Sequence, residues 1–493
     1  MNVIGNNAFI AVAAVLAAIA VKGQWQFSLD TTFRTQIIQQ NTNSILLLPD
    51  GKLIASGIMR FTDEFSDKRL VRLLPDGTRD ESFYSSGLGG GKTLPWQPDR
   101  FYVQGSFTPR RIWTDTGLND GSFAVGSGAI PYFLPNSGGD YHVFEDGRVV
   151  ITGNHHLSDS IRGFTGWYKL IWFSNEGYLD TTRIHRQANG PMWNFTALPD
   201  GKFLCSCSCT EYEGQPVGRV FRIHADGSLD TTFQTDVFTG NIRAHHPLPD
   251  GRVIIGGDFR VASAPDILYQ LVRLMPDGSF DPTFNNDLVF GLADGLNGAP
   301  RVSRIVPWQD DKYFVTGTFR NVNGETRGGI CVTDTAGQLL SLMDECLNGP
   351  FTYMVNTNAS IHGITPTPDG TGFYINGTYA GYTDGTINDT LQRFVSRLLV
   401  EVDTTVGINA TKAPAIFSLH PNPASGMVHI TLAGPAPNGL AQVRDALGRL
   451  VYVQQITNTH STLDLQALSD GLYFVSISTH ELHLPAQRLV LQR

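Results

Sequence analysis

Long apolar runs are almost absent from this 493-residue chain. The one present, Ala8 to Val21, is about fourteen residues, too short to cross a bilayer comfortably. Charge is scarce as well. Only 16% of residues are charged, the net charge is −9, and no segment carries a dense lysine and arginine run. That excludes a nucleic-acid partner, which needs a basic face to neutralise phosphates, and argues against electrostatic docking on a membrane. Neither Gly-x-Ser-x-Gly nor His-Glu-x-x-His occurs, so two common hydrolase signatures are missing. Gly87 to Thr93 looks like a phosphate loop, but Ser86 holds the first glycine position and Pro95 stands where a helix should begin; it reads as an inter-strand loop. His155-His156 and His245-His246 are adjacent pairs whose side chains diverge on a strand, and no EF-hand loop is present. The sequence thus assigns no catalytic residue, no cofactor and no metal.

What the chain has is glycine, 52 residues of it, arranged in a repeat. Seven times a polar turn leads into a short β-branched or aromatic run that ends on a small residue: Gly57, Gly105, Gly153, Cys207, Gly257, Gly317 and Gly377. These anchors are 48 to 60 residues apart, which suits about four short strands per unit and predicts an all-β propeller of seven blades. A second motif alternates with the first. Arg72 to Gly77 leads to Asp80 and Phe83, Arg222 to Gly227 leads to Asp230 and Phe233, and Arg273 to Gly278 leads to Asp281 and Phe284. Asp-Gly marks a hairpin turn, so most aspartates, including Asp50, Asp76, Asp146, Asp200, Asp226, Asp250 and Asp277, have a structural explanation. Asp99 and Asp311 fill the glycine slot of two turns and are expected in the left-handed region. Recurrent Arg72, Arg222, Arg273 and Arg397 are candidates to pair with Asp30, Asp80, Asp230 or Asp281 as part of the blade architecture.

Two incomplete units complement one another. Leu29-Asp30-Thr31-Thr32-Phe33 lacks the Arg-Leu strand that normally precedes it, while Phe394 to Leu399 has no Asp-Gly turn after it. Joining them completes one blade, seals the ring and removes two sheet edges. The Leu-Pro-Asp-Gly-Lys turns with Leu-Asp-Thr-Thr-Phe tails resemble the delta-60 repeat family over about residues 27 to 401. That resemblance implies a propeller of bacterial surface and secreted proteins, and no reaction.

After Val402 the sequence changes. Residues 403–414 read as a polar linker, and 415–493 as a smaller β domain. Its Pro421-Asn422-Pro423-Ala424 opening, the Asp445-Ala446-Leu447-Gly448-Arg449 turn, the Leu468 to Tyr473 segment with Gly471, and the closing Arg488-Leu489-Val490-Leu491 resemble the C-terminal sorting domain of type IX secretion substrates from the Bacteroidetes. His420 replaces the aromatic residue often found before Pro-Asn-Pro. The resemblance implies an immunoglobulin-like sandwich that engages the type IX secretion machinery, directs export to the cell surface and is commonly removed there. The N-terminus agrees: Ala8 to Val21 is suited to a signal-peptide core, with cleavage expected between Gly23 and Gln24 and the mature propeller spanning 24–402.

Five cysteines leave several states open. Cys205, Cys207 and Cys209 alternate, so one strand would turn all three to one face; they read as a thiolate metal site or, from their register against other repeats, as small buried hydrophobes. Cys331 and Cys346 are spaced for a disulfide closing a short loop. Two function classes follow: a surface interaction module contacting an extracellular glycan or protein, or an extracellular carbohydrate-active or other hydrolytic enzyme. The longest repeats carry extra residues in Leu288 to Pro300 and Leu339 to Ser360, where Phe290, Phe351, Tyr353 and Met354 are the candidate contact residues.

Overall fold

The computed structural model describes residues 24–403 and 417–493, apart from 63, 86, 127–129, 293–297, 310, 342–358, 368, 384–387, 433–438, 446–448 and 479–482. Two compact units divide at Thr404 and Thr405. Both are built of antiparallel strands, and a single 3-10 turn, Ala124–Gly126, is the helical element among the described residues.

In the first unit each repeat forms a sheet. They are Ile37–Leu47 with Leu53–Phe61 and Lys68–Leu73; Thr93–Gln97 with Arg100–Gln104 and Pro109–Trp113; Phe133–Val143 with Val149–Asp159 and Phe164–Phe173; Met192–Ala197 with Phe203–Cys207, Val220–Ile223 and Leu229–Gln234. The next two are Val237–Pro247 with Val253–Val261 and Ala264–Leu274, and Arg301–Trp308 with Lys312–Thr318 and Ile330–Asp334. The last joins Ser360–Pro366, Gly372–Thr383 and Asn388–Asp403 to the N-terminal strand Gln24–Leu29, which pairs Phe27 with Val400 and Leu29 with Leu398. The expected exchange between the two chain ends of this unit is therefore present as strand pairing.

Each sheet is apolar on both faces, because its middle strand is buried over most of its length, and each buries those faces against the next. One cluster joins Leu48, Ile54 and Leu70 of the first sheet to Phe101, Val103 and Ile112 of the second. Another joins Phe33, Leu53 and Val71 to Tyr374 and Val395 of the last. Corresponding clusters fill the remaining junctions.

The Leu-Asp-Thr-Thr-Phe tail now has a physical reading. Asp281 accepts from Arg273 Nε at 2.7 Å and from the Thr283 hydroxyl at 2.6 Å, while Phe284 lies under the guanidinium, 4.8 Å away. Arg273 also donates to the Thr335 carbonyl of the following sheet at 2.5 Å. The same latch recurs at Arg72–Asp80, Arg222–Asp230 and Arg397–Asp30, as the sequence suggests, and at Arg111–Asp120, which it does not flag. Arg397 reaches the Pro75 carbonyl of the first sheet, so this latch spans the two ends of the repeat array. The third sheet holds Trp172 in the arginine position, and the sixth replaces the pair by Val332 and Leu340. The main-chain bond persists without the charges: Leu340 N donates to Val332 O at 2.9 Å as Asp281 N does to Arg273 O at 2.8 Å.

One turn expectation is corrected. Asp99 does not take positive φ; Pro98 at the second position of the Gln97–Arg100 turn sets a conformation that leaves Asp99 on the ordinary side, and in the sixth sheet Gln309 takes a left-handed conformation, φ 55°.

The second unit stacks Phe417–His420, Met427–Leu432 and His460–Asp464 against a four-stranded sheet ordered Leu450–Ile456, Gly439–Asp445, Gly471–Ser478, His483–Leu491. Val428, Ile430, Ala441, Val443, Leu463, Val475 and Leu489 fill the space between. Asn422 pins the opening turn to the last strand, donating to Arg488 O at 2.7 Å and accepting from Val490 N at 2.9 Å. Tyr473 is buried and its hydroxyl donates to Ser469 O at 2.8 Å. Pro421 and Pro423 follow cis peptide bonds, and Gly471 begins its strand. Gly448 lies outside the described residues, as does the linker at 404–414.

Candidate functional site

The small anchors that mark the repeat also build the site. Opposite them the first strand of a sheet carries one unpaired residue more than its partner. The register slips past Asn43, Trp193, Arg243, Ser303 and His362, and past Gly139 and Asp140 in the third sheet. A β-bulge of this kind turns a side chain out of the sheet. It also explains the anchor, because the bulged strand's carbonyl lies against it: a Cβ on Gly257 would stand 2.0 Å from Asn241 O, and one on Gly377 2.0 Å from Ser360 O.

All of these residues face one cavity. Its two lobes, about 550 and 600 Å³, share Asn43, Lys92, Trp193, Asn194, Arg243, Arg304 and His362 in their walls. Hydrogen bonds run from sheet to sheet around it. Asn43 donates to Gly90 O, Lys92 to Asp140, Phe195 N to Asp140, Asn194 to Ile242 O, Arg304 to Arg243 O, Thr318 to Ser360, and Asn376 to Thr42 O.

Charge in the wall is mostly positive. Lys92, Arg243, Arg301 and Arg304 line the lobes, and Asp140 is the one carboxylate among the described lining residues. Its oxygens already accept from Lys92 Nζ at 2.9 Å, Tyr141 N at 2.7 Å and Phe195 N at 3.1 Å. Arg243 Nε lies 3.7 Å from Asp258, behind the wall. Arg304 opens onto the cavity yet is crowded by protein, and that desolvation holds its guanidinium below the usual range; for Arg301 desolvation and then Arg243 do the same. His245 and His362 are kept to about 4, chiefly by burial, so both are neutral at physiological pH.

Trp193 is 40% exposed and gives the cavity a flat apolar face. Its Nε1 donates to Ser208 Oγ at 2.9 Å, and Ser208 sits between Cys207 and Cys209, which are joined by a disulfide. This corrects the cysteine reading. The strand ends at Cys207, so the chain turns before Cys209 and brings the two sulfurs together, which removes the three-thiolate metal site; Cys205 remains a buried free thiol. Cys331 is likewise free and buried, which pushes its thiol up to about 12, and Cys346 lies outside the described residues.

The loop candidates fare differently. Phe290 is only 3% exposed, packed edge-on against Phe319 beside Leu288 and Val322, so it belongs to the core and offers no contact surface. Phe351, Tyr353 and Met354 lie outside the described residues, as does Gly23; Gln24 opens the N-terminal strand. The cavity residues were not singled out from the sequence. A signal for them exists: Asn43, Gly91, Gly139, Trp193, Arg243, Ser303 and Gly363 each stand fourteen positions before a small anchor, and the side chain in the wall is that residue or its neighbour.

Residues 418–492 match the model of the secretion system C-terminal sorting domain, and residues 48–83, 198–233 and 248–284 match that of a beta-propeller domain of unknown function, DUF5122. The chain carries propeller repeats followed by a type IX sorting domain, which makes it an extracellular or cell-surface protein and a client of the secretion machinery. No curated protein matches it. Among solved structures it is similar to PorZ, a bacterial surface component of the type IX secretion system of Porphyromonas gingivalis, at 14% identity over 92% of this chain, TM-score 0.37. It covers 59% of PorZ, less than two thirds of that protein's length. A protein of unknown function from Bacteroides caccae is 13% identical over 59% of this chain and 92% of its own, TM-score 0.32. Among the described residues no helix is long and apolar enough to cross a membrane.

Proposed function

We propose that this chain is a secreted interaction module, a seven-bladed propeller that captures an extracellular ligand in the cavity where its first strands meet. The convergence of bulged residues carries this reading: unpaired positions in successive repeats deliver Asn43, Asp140, Trp193, Arg243, Ser303 and His362 to one space. Recognition from a rigid scaffold is the usual use of such an arrangement. Glycoside hydrolysis calls on a pair of carboxyl groups, whereas the wall acid Asp140 is already committed to three donors, which favours binding over acid–base chemistry. Export follows from the two ends. Residues 1–23 are removed as a signal peptide between Gly23 and Gln24, and 415–493, an immunoglobulin-like sandwich presenting Pro421, Asn422, Pro423, Gly448, Gly471 and Tyr473, direct passage through the type IX machinery before removal at the surface.

The test combines both halves. Terminal peptides of the surface-exposed protein from a host with this secretion system should begin near Gln24 and end near Ala415; recovery of Met1 or Arg493 there removes the corresponding step. Ligands retained from a glycan and peptide library should be lost on Trp193→Ala with the melting temperature unchanged. Retention of every ligand by that variant moves the site away from the cavity.

A further inference from the structure

We infer that the cavity takes an acidic saccharide, a sugar chain bearing carboxylate or sulfate groups, with Arg243, Arg301 and Arg304 holding the anion and Trp193 facing the sugar ring. This rests on the cavity being the ligand site. Its charge is the first argument. Four cationic side chains and one acid line a space inside a chain whose net charge is −9, so the local sign opposes the global one. Lys92 faces Asp140 and Arg243 faces Asp258 at 3.7 Å, but the other two cations are underused. Arg304 Nη1 donates only to carbonyls, Ser303 O at 3.1 Å and Arg243 O at 3.4 Å, and among the described residues neither Arg301 nor Arg304 has a carboxylate within ion-pair distance. The one acid, Asp140, is saturated by its own donors. Three guanidiniums sharing a lobe repel one another, and an anion entering there relieves that repulsion while filling forks whose planar geometry matches carboxylate and sulfate.

The rest of the wall suits a sugar. Asn43, Asn194 and Ser303 supply uncharged polar groups for hydroxyls, and His362 stays neutral with Nδ1 at 3.2 Å from Thr42 O. Trp193 offers a rigid apolar plane, locked by Ser208 inside the Cys207–Cys209 disulfide, so little conformational entropy is lost on contact. Lobes of about 550 and 600 Å³ fall in the range of small-molecule sites.

Calorimetry on the full chain tests this with four probes: a galacturonate trisaccharide, its neutral galactose counterpart, a sulfated disaccharide and inorganic sulfate. At least one acidic saccharide should bind, more weakly at high salt, and its affinity identifies whether carboxylate or sulfate is the source of charge. The neutral trisaccharide should bind at least about tenfold more weakly, and Arg304→Gln should cost the acidic probe about tenfold or more, the effect of losing a charge-assisted pair. Arg304→Lys should recover only part, since it keeps the charge without the fork. Trp193→Ala should weaken the saccharide and leave inorganic sulfate unchanged. Equal binding of neutral and acidic probes, inorganic sulfate binding as tightly as the saccharides, no binding of either acidic saccharide by protein with a normal melt, or indifference of both to Arg304→Gln each overturns the acidic class. A neutral ligand lost on Trp193→Ala would overturn that class and preserve the interaction module; ligands indifferent to both variants would remove the cavity itself.

Discussion

Replacing Asp281 by alanine removes one carboxylate that serves four donors: Arg273 Nε at 2.7 Å, Arg252 Nη1 at 2.8 Å, Thr283 N at 2.8 Å and Thr283 Oγ1 at 2.6 Å. The Arg273 side chain is 5% exposed and would remain charged with only the Thr335 carbonyl, the Thr283 hydroxyl and the Phe284 ring beside it. Breaking a buried pair by deleting one partner costs about 3–5 kcal/mol, because the other charge is left desolvated. Arg273→Met should cost less, about 1.5–3 kcal/mol, since Asp281 keeps Arg252 and Thr283. The sixth sheet supplies the decisive control. It places Val332 and Leu340 where the fifth has Arg273 and Asp281, with the same main-chain bond. Arg273→Val with Asp281→Leu should therefore unfold within about 1–2 kcal/mol of the parent, better than Asp281→Ala alone, since a buried pair exchanged for packed apolar groups is often close to neutral. Urea unfolding followed by tryptophan fluorescence isolates the effect, because all seven tryptophans lie in the repeat unit. A double variant as unstable as the two single losses added together, or an Asp281→Ala loss below about 1 kcal/mol, the value of an exposed pair, would refute the latch as a buried electrostatic unit.

Acid should weaken the repeat unit in two stages. His245 and His362, held to about 4 by burial, stay neutral while the unfolded chain takes up protons below about 6.5, so stability falls from there toward 4. For Asp30, Asp80, Asp120, Asp230 and Asp281, burial raises the pKa but the neighbouring Thr or Ser bonds and the cationic partners lower it further; their stabilisation is present above the unfolded carboxylate value of about 4 and is lost as pH drops through the lowered folded values. Urea midpoints measured from pH 7 to 3 should decline throughout, and a midpoint that rises on acidification would contradict this. Cys207→Ser with Cys209→Ser opens a very short loop, so it should cost only about 1.5 kcal/mol in the chain-entropy treatment, seen as a melt lowered by a few degrees, while weakening any ligand that uses Trp193. An unchanged affinity would separate the disulfide from the positioning of that ring.

The repeat was legible because its signals are local. Gly77 and Gly278 occupy positive-φ turns, and Arg72, Arg222, Arg273 and Arg397 stand at fixed distances from their aspartates. Arg111–Asp120 escaped notice because its turn reads Thr114-Asp115-Thr116-Gly117 in place of Pro-Asp-Gly. The cavity was hidden for a different reason. Whether Arg243 points into a strand pair or out of it depends on which residues of two strands face each other, and that is set by the Asn241 carbonyl settling on Gly257, a contact between segments with no compositional trace at Arg243 itself. The disulfide was missed because alternate cysteines describe one strand face as well as they describe a turn. Phe290 lies in an insertion whose length suggests a loop, whereas Phe290–Gly291 pairs with Asn321–Val322 and buries the ring.

The bulge separates holding the sheet together from choosing what the cavity presents. A residue such as Trp193 or Ser303 contributes no rung to its ladder, so its replacement leaves every paired neighbour in register. The scaffold tolerates asparagine, tryptophan, arginine, serine and histidine at equivalent places in one chain. Duplicated repeats can thus drift at a single site per copy without renegotiating the fold, and a combinatorial library varied at Asn43, Trp193, Arg243, Ser303 and His362 would sample new specificities on an unchanged frame.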